Sequence, residues 1–286
     1  MRNGVLFVAT GAGYRQLAAR AAASVARVSP GLPIDLATDE PVEPGVFATV
    51  TLLDDPWFRS RIDAMAATRF ERTLHLDADV LAVADIRDVF EVLDRFDVAL
   101  AHDQARNSPA TNAVWRRPLP AAFPQFNGGV IAYRRTPEVL GFLGRWAEAM
   151  RAPAMRKDQP ALRELLWESE LRIATLPPEY NLLDLGAVRR WDRFRPAPRL
   201  IHHYRFHKHF TGDRREVASV EDLLGPMAAA RLPMIAAADR NLARMAGREP
   251  REPTLGDRAA ALACGLAGLP RWAATRAHFA LRRLAR

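Results

Sequence analysis

The chain has 286 residues, 49% of them apolar, with 41 Lys and Arg against 33 Asp and Glu for a formal charge of +8. That apolar share excludes a disordered chain and supplies a sizeable core, best read as one large domain with appendages. A single cysteine, Cys264, excludes an intrachain disulfide, and the basic balance favours anionic partners such as nucleotides, nucleic acid or acidic membrane surfaces without choosing among them.

With nothing pointing to an oxidising compartment, a cytoplasmic location is the default expectation. The apolar run Val5–Ala9 is too short for a signal-peptide core, and Ala259–Leu269 is too short to span a bilayer, which takes roughly 20 residues. The sequence therefore predicts a soluble or peripheral protein.

Val5–Thr10 is a β-branched and aromatic run that stops at Gly11-Ala12-Gly13, and Tyr14–Val28 follows with helical spacing at Leu17, Ala21 and Val25. This is a strand, a tight turn and a helix. The Gly-Ala-Gly suggests a Rossmann phosphate loop, but the G-x-G-x-x-G pattern fails because no third glycine completes it, which leaves a dinucleotide fold a minor alternative. Ile34–Thr38 and Ala48–Leu53 read as further strands, with Asp39 at the end of the first, and Trp57–Phe70 reads as a helix leading into the strand Leu74–Leu76. Strands alternating with helices imply an α/β fold with a mainly parallel central sheet and flanking helices. Ligands of such sheets bind at the C-terminal ends of the strands, where Thr10, Asp39, Asp77 and Asp79 should all lie.

Thr73-Leu-His-Leu-Asp77-Ala-Asp79-Val-Leu81 is a short apolar run ending in two carboxylates. Extended geometry points residues two apart the same way, so both carboxylates are able to converge on one hard cation or a polyphosphate complex. Capping of the following turn is the competing role for the pair.

Beyond it, Ile86–Leu93 reads as a helix and Val98–Ala101 as a strand ending at His102-Asp103. Residues 104–125 have no period and four prolines, which marks a functional or disordered loop. Phe126-Asn127-Gly128-Gly129 precedes the strand Val130–Tyr133; the paired glycines allow close backbone approach beside a polar Asn, or simply form a turn. Pro137–Met150 has amphipathic helical spacing, and Asp158-Gln159-Pro160 opens a second helix, Ala161–Trp167, where Asp158 suits a cap. After the strand Ile173–Leu176, His202, His203, Arg205, His207, Lys208 and His209 crowd one stretch, either a metal or phosphate site or a solvated basic loop.

Residues 5 to about 210 resemble the nucleotide-sugar-dependent glycosyltransferases of GT-A fold, and within them the family-eight, galactosyltransferase- and glycogenin-like branch. The resemblance lies in the order of the pieces: Tyr14 at a helix start, Leu76-Asp-Ala-Asp-Val-Leu81, Phe126-Asn-Gly-Gly-Val130, Asp158-Gln159 before a helix, and Ile201-His202 with Lys208 six residues after the histidine. It implies a Rossmann-like nucleotide-diphospho-sugar transferase domain over residues 1–233. It also implies transfer of a hexosyl group from a nucleoside-diphosphate sugar, UDP favoured, to a glycan, lipid-linked or other acceptor, with retention of stereochemistry favoured.

Residue by residue, the resemblance implies that Asp77, Asp79 and His202 hold Mn²⁺ or Mg²⁺. Lys208 would contact the diphosphate, Tyr14 would stack on the base beside Thr10 and Gly11, Asp39 would lie near the nucleoside, and Arg61 near the phosphates or donor sugar. Asp103, Asn127, Asp158 and Gln159 would surround the donor sugar and its anomeric carbon, with Asp158, Gln159 and Asp103 as the catalytic candidates. The chain departs from the pattern after the late histidine, where the usual glycine and Pro-Trp are missing, and His203 directly precedes Tyr204 as the family's histidine precedes its own. Either His202 or His203 therefore fits as the ligand.

Residues 234–286 read as a basic helical extension, with Met234–Met245 as one helix. In 255–286, Trp272 and Phe279 fall among Arg271, Arg276, Arg282, Arg283 and Arg286. That mixture suits either an anionic membrane surface or a docked helix with a solvated basic face. No nucleic-acid partner is expected. Two other classes compete with the transferase: a nucleotide-binding or membrane-surface adaptor without turnover, and an Asp-x-Asp phosphatase, whose later Thr or Ser and Lys motif is missing.

Overall fold

The computed structural model describes residues 2–43, 45–152, 157–212 and 215–257, together with 259, 260 and 263. The aromatic and arginine positions between 271 and 286 lie outside the described residues. In chain order the elements are β1 (Asn3–Ala9), α1 (Ala12–Val28), β2 (Ile34–Thr38), β3 (Thr49–Leu52), α2 (Ser60–Ala66), β4 (Arg72–Leu76), β5 (Val80–Ala82), α3 (Val89–Val92), β6 (Val98–His102) and β7 (Phe126–Arg134). These are followed by α4 (Pro137–Arg151), α5 (Gln159–Glu168), β8 (Ile173–Leu176), α6 (Gly186–Arg189), β9 (Leu200–His202), α7 (Val220–Leu224), α8 (Pro226–Ala229), α9 (Leu232–Ala238) and α10 (Arg240–Met245). They pack as two compact units, one from residues up to 183 plus 198–217, the other from 184–197 and the described residues from 218 on.

In the first unit a seven-stranded sheet runs β3-β2-β1-β4-β7-β6-β8. Strands β1 to β4 pair in parallel, and β6 pairs in parallel with β8. β7 runs antiparallel to both of its neighbours, β4 and β6. This is the expected mainly parallel α/β sheet, and the single reversed strand positions the site. Because β7 runs against β4, its first residues meet the C-terminal end of β4: Leu76 faces Val130, and the Asp77 N–H donates to the Gly129 carbonyl at 2.8 Å. Asn127, Gly128 and Gly129 accordingly belong to a strand, not to a turn.

One face of the sheet is sealed by α2, α4 and α5. Trp146, Met150, Phe142 and Leu143 on α4 pack with Met65 and Ile62 on α2 and with Leu162 and Leu166 on α5. The buried Tyr133 hydroxyl donates to the Met65 carbonyl at 2.7 Å, so the one polar atom of that ring is satisfied inside the core. α2 is shorter than the periodicity of residues 57–70 predicts. The chain turns at Thr68, whose hydroxyl lies 3.0 Å from that of Thr73, and Phe70 then inserts beneath Gly4, where a Cβ would sit 2.2 Å from the ring.

A two-stranded ribbon pairs β5 antiparallel to β9 with Val80 opposite His202. This register, with the His203 N–H donating to the Asp79 carbonyl at 3.1 Å, carries the late histidine segment more than 120 positions along the chain to the Asp-x-Asp turn.

In the second unit the expected helix over 234–245 is broken at Asp239. Its backbone is extended, and its carboxylate accepts from the Asn241 and Leu242 N–H groups at 2.8 and 3.0 Å and from the Ala197 N–H at 2.6 Å. Aspartate satisfies the free N–H groups of a helix start better than it serves a helix interior, so the periodic run becomes α9 and α10. Replacing Asp239 by Ala removes this cap and leaves a buried Ala197 N–H without its carboxylate. A loss of about 2–3 kcal/mol in urea denaturation is expected. Among the described residues no helix is long and apolar enough to cross a membrane.

Candidate active site

The strand ends of the first unit open into a cleft of about 500 Å³. Its walls include Thr10 after β1, Tyr14 on α1, Arg61 on α2, Asp77 and Asp79 after β4, Asn127 on β7, Asp158 and Gln159 at the start of α5, and His202 on β9. Nine of the thirteen residues singled out in the sequence thus share one cavity. Gly11, Asp39, Asp103 and Lys208 are not among its walls. Asp39 accepts from the Gly11 N–H at 2.7 Å and from Arg15 at 2.5 Å, which pins the turn after β1, where Gly11 takes a φ of 81° open to glycine. Asp103 accepts from the Ala105 N–H at 2.9 Å and so turns the start of the 104–125 segment. The Lys208 ammonium lies 5.8 Å from the centre of the Tyr204 ring.

The two carboxylates converge through a turn and not through an extended strand. β4 ends at Leu76, and Asp77-Ala78-Asp79 bends the chain into β5. Ligand atoms of Asp77, Asp79 and His202 all lie within 4.8 Å of one another. His202 Nε2 is 3.2 Å from Asp79 Oδ1, whereas His203 turns away, accepting from the Arg205 N–H at 3.2 Å and stacking on Tyr204. His202 is therefore the histidine of this cluster. Two carboxylates and one imidazole form a donor set suited to Mn²⁺ or Mg²⁺ and poor for thiolate-seeking metals. Gly129 gives the set its room: a Cβ there would lie 2.3 Å from His202 Cε1 and 2.9 Å from Asp77 Oδ2.

Cations hold these anions in place. The Arg61 guanidinium donates to Asp77 Oδ1 at 2.7 Å, to the Gly128 carbonyl at 2.9 Å and to Asp158. Arg59 reaches the same Asp158 oxygen at 3.1 Å. Burial pushes the Asp77 carboxyl up, but the Arg61 charge and the His75 ring outweigh it, and the group ends well below the usual carboxylate range. Burial likewise opposes ionisation of Asp79, and His202 and His207 hold it low. Desolvation disfavours the charged form of His202, but the Asp79 carboxylate raises the imidazole above its ordinary value. Tyr14 is shifted up, first by burial and then by the charges of Asp79 and Asp77.

Three contributors escape the sequence reading. His207 Nδ1 lies 2.9 Å from Asp79 Oδ2, and its ring centre is 6.1 Å from that of Tyr14. In the sequence it stands only as one member of a basic stretch. Arg59 precedes α2, and nothing in the local pattern distinguishes it from other surface arginines. Asn181 falls in an irregular segment, yet it is fully buried and bonds to both Asn127 and His202. The 104–125 segment, without regular elements among the described residues, is fastened to α5. Buried Glu164 accepts from the Arg116 backbone and side chain, and Arg163 donates to the carbonyls of Pro120 and Phe123. Its last residue, Gln125, donates to Gln159 Oε1 at 3.2 Å.

The fold has solved counterparts. The glycosyltransferase GlyE of Streptococcus pneumoniae TIGR4 superposes with a TM-score of 0.57 at 16% identity, over 78% of this chain and 59% of GlyE. The chain thus spans 59% of the length of that protein. An active-site mutant of LgtC matches with a TM-score of 0.53 at 13% identity, over 80% of this chain and 96% of LgtC. The galactosyltransferase LgtC in complex with donor and acceptor sugar analogues matches with a TM-score of 0.50 at 14% identity, over the same shares. At such identities the likeness establishes the fold, that of the GT-A glycosyltransferases. No curated protein sequence matches the chain. Residues 59–210, more than half of the chain, match the family model described as nucleotide-diphospho-sugar transferase. They run from Arg59 beside the cleft to Phe210 against Tyr14 and include every acidic wall of the site, and the chain belongs to the nucleotide-diphospho-sugar transferase family.

Proposed function

We propose that the chain is a metal-dependent glycosyltransferase that moves a hexosyl group from a nucleoside-diphosphate sugar, UDP favoured, to a saccharide or lipid-linked acceptor, with retention favoured. The observation that carries the reading is the convergence of Asp77, Asp79 and His202 in the cavity that also holds Arg61, Asp158 and Gln159. A divalent ion held by Asp77, Asp79 and His202 would supply Lewis-acid neutralisation of the charge that grows on the departing diphosphate.

The remaining work falls to the chain's own groups. Tyr14, half exposed at the cleft wall, offers a ring face to the base, and Thr10 adds a hydroxyl beside it. Arg61 holds Asp77 and Asp158 at a fixed separation, so the cation-binding and sugar-binding ends of the cleft form one rigid piece. Breaking the glycosidic bond leaves positive charge on the sugar ring. The Asp158 carboxylate and the Gln159 amide oxygen are preorganised acceptors for that charge at the start of α5. Their backbone is fastened there: the Asp158 carbonyl accepts from the Leu162 N–H at 2.8 Å and from the Trp146 indole at 3.3 Å.

A thermal-shift panel of UDP-, GDP-, ADP- and dTDP-sugars, with and without Mn²⁺, tests the reading. Stabilisation specific to one base and dependent on the metal is expected. At a hundredfold excess over Kd it amounts to about 2.7 kcal/mol, or roughly 5–10 °C in Tm. Equal shifts with every polyanion, with or without the metal, would reduce the cleft to a basic surface and sink the proposal.

A further inference from the structure

A buried polar relay behind His202 fixes which ring nitrogen faces the carboxylates. It begins at the backbone N–H of Gly129, a group that only donates, 3.0 Å from Asn127 Oδ1. The Asn127 atom there is therefore an acceptor, and the Asn181 group 3.0 Å from the same atom must be its NH₂. Asn181 then turns its carbonyl oxygen toward His202 Nδ1 at 2.9 Å, and because that oxygen only accepts, Nδ1 carries a proton. The remaining nitrogen, Nε2, points at Asp79 Oδ1, 3.2 Å away. Reversing the Asn181 amide would set its carbonyl oxygen against Asn127 Oδ1, two acceptors 3.0 Å apart. The Asn181 side chain is fully buried, and Gln104 donates to its backbone carbonyl at 2.8 Å.

We propose that Asn181 is a positioning residue that commits His202 to the Nδ1–H tautomer, so that Nε2 is presented as a ligand lone pair to a divalent cation held with Asp77 and Asp79. The inference rests on the metal-dependent reading above and deepens it. Two acceptors 3.2 Å apart repel unless a cation or a proton lies between them, so the relay makes the cluster cation-seeking. With the opposite tautomer, Nε2–H would donate to Asp79 and the cluster would satisfy itself. His207 acts on the other side, its Nδ1 lying 2.9 Å from Asp79 Oδ2, which leaves Oδ1 as the oxygen turned toward His202. Groups that orient a ligating histidine through its other nitrogen typically contribute about 10–100-fold in metal affinity.

The experiment titrates Mn²⁺ alone into the full-length chain by calorimetry, with Mn²⁺ EPR as a second readout. The wild type is compared with Asn181→Leu, which removes the acceptor, and Asn181→Asp, which keeps an acceptor opposite Nδ1. Affinity about 10–100-fold lower in Asn181→Leu, with Asn181→Asp binding more tightly than Asn181→Leu because it keeps the acceptor opposite Nδ1 although it loses the donor to Asn127, supports the proposal. Equal affinity of wild type and Asn181→Leu overturns it while leaving the metal site standing. Wild-type affinity no higher than that of Asp79→Ala overturns the metal reading itself, and the ligand role of Nε2 with it. The tautomer is also read without metal and without a variant that must fold. Long-range ¹H–¹⁵N spectra of the wild type, at alkaline pH where the His202 ring is neutral, are expected to show Nδ1 protonated and Nε2 bare. The reverse assignment overturns the relay.

Discussion

On the proposed function, Asp79→Asn is expected to lower glycosyl transfer by at least about 1,000-fold, a barrier increase of about 4 kcal/mol, and to abolish any Mn²⁺-dependent part of the thermal stabilisation. The substitution keeps the size of the side chain and removes its charge, so the loss reports electrostatics and not packing. Asp79 is suited to such a role because its surroundings hold it ionised: burial alone would raise its carboxyl, but the His202 charge and hydrogen bonds from both His202 and His207 keep it well below the usual range. It is also the point where two distant parts of the chain meet, since its backbone carbonyl accepts from the His203 N–H and its two oxygens face His202 and His207, the first of which donates to it only when the ring carries a second proton. The measurement is initial rate with the donor selected by the thermal-shift panel, at saturating Mn²⁺, beside calorimetric Mn²⁺ binding to the same protein. Wild-type rates in Asp79→Asn would remove this carboxylate from the reaction.

Much of this site is legible in the sequence because its parts are local: apolar runs that stop abruptly at polar residues. The strand Ile34–Thr38 matches its expected limits, and Asp77 and Asp79 stand where β4 ends. What local pattern cannot supply is the direction of a neighbouring strand. Asn127, Gly128 and Gly129 read equally well as a turn, and they become part of the cavity wall because β7 runs antiparallel to β4 and delivers its first residues to the C-terminal end of that strand. The choice between His202 and His203 has the same origin. Adjacent residues of a strand point to opposite sides, and only the pairing of Val80 with His202 decides which one faces Asp79. Asn181 is illegible for a further reason: a buried asparagine in an irregular segment carries no periodic signal, and its partners lie 54 and 21 positions away. The converse failure is the expected extended geometry of Asp77 and Asp79, where the right convergence follows from a turn.

Arg61→Met destabilises the whole chain by about 3–5 kcal/mol, a fall of roughly 6–20 °C in Tm. Methionine fills much of the space of the arginine stem beside the Trp146 ring, 5.6 Å from the guanidinium carbon, so packing is largely kept. What disappears is the counter-charge. Asp77, Asp158 and the Gly128 carbonyl all receive hydrogen bonds from this one guanidinium, and all three lie in the wall of a partly desolvated cleft. Removing one partner of a buried charge cluster leaves the others uncompensated, which costs more than the cluster is worth intact. Arg61→Lys recovers only part of the loss, because an ammonium is a point charge and cannot reproduce a planar fork reaching two carboxylates and a carbonyl. The sign of the pH dependence follows from Asp77, whose folded-state carboxyl is held below its ordinary value chiefly by Arg61 acting against burial. Such a group contributes stability that is complete above its unfolded value near 3.9 and is lost as pH falls through the folded value. In metal-free buffer the gap between wild type and Arg61→Met is therefore widest at and above about pH 5 and narrows on acidification, because the variant's Asp77 takes up a proton at higher pH than the wild type's. Urea denaturation of both proteins across that range measures it. A gap independent of pH would mean that Arg61 stabilises the fold through packing on Trp146, and not through the two carboxylates it joins.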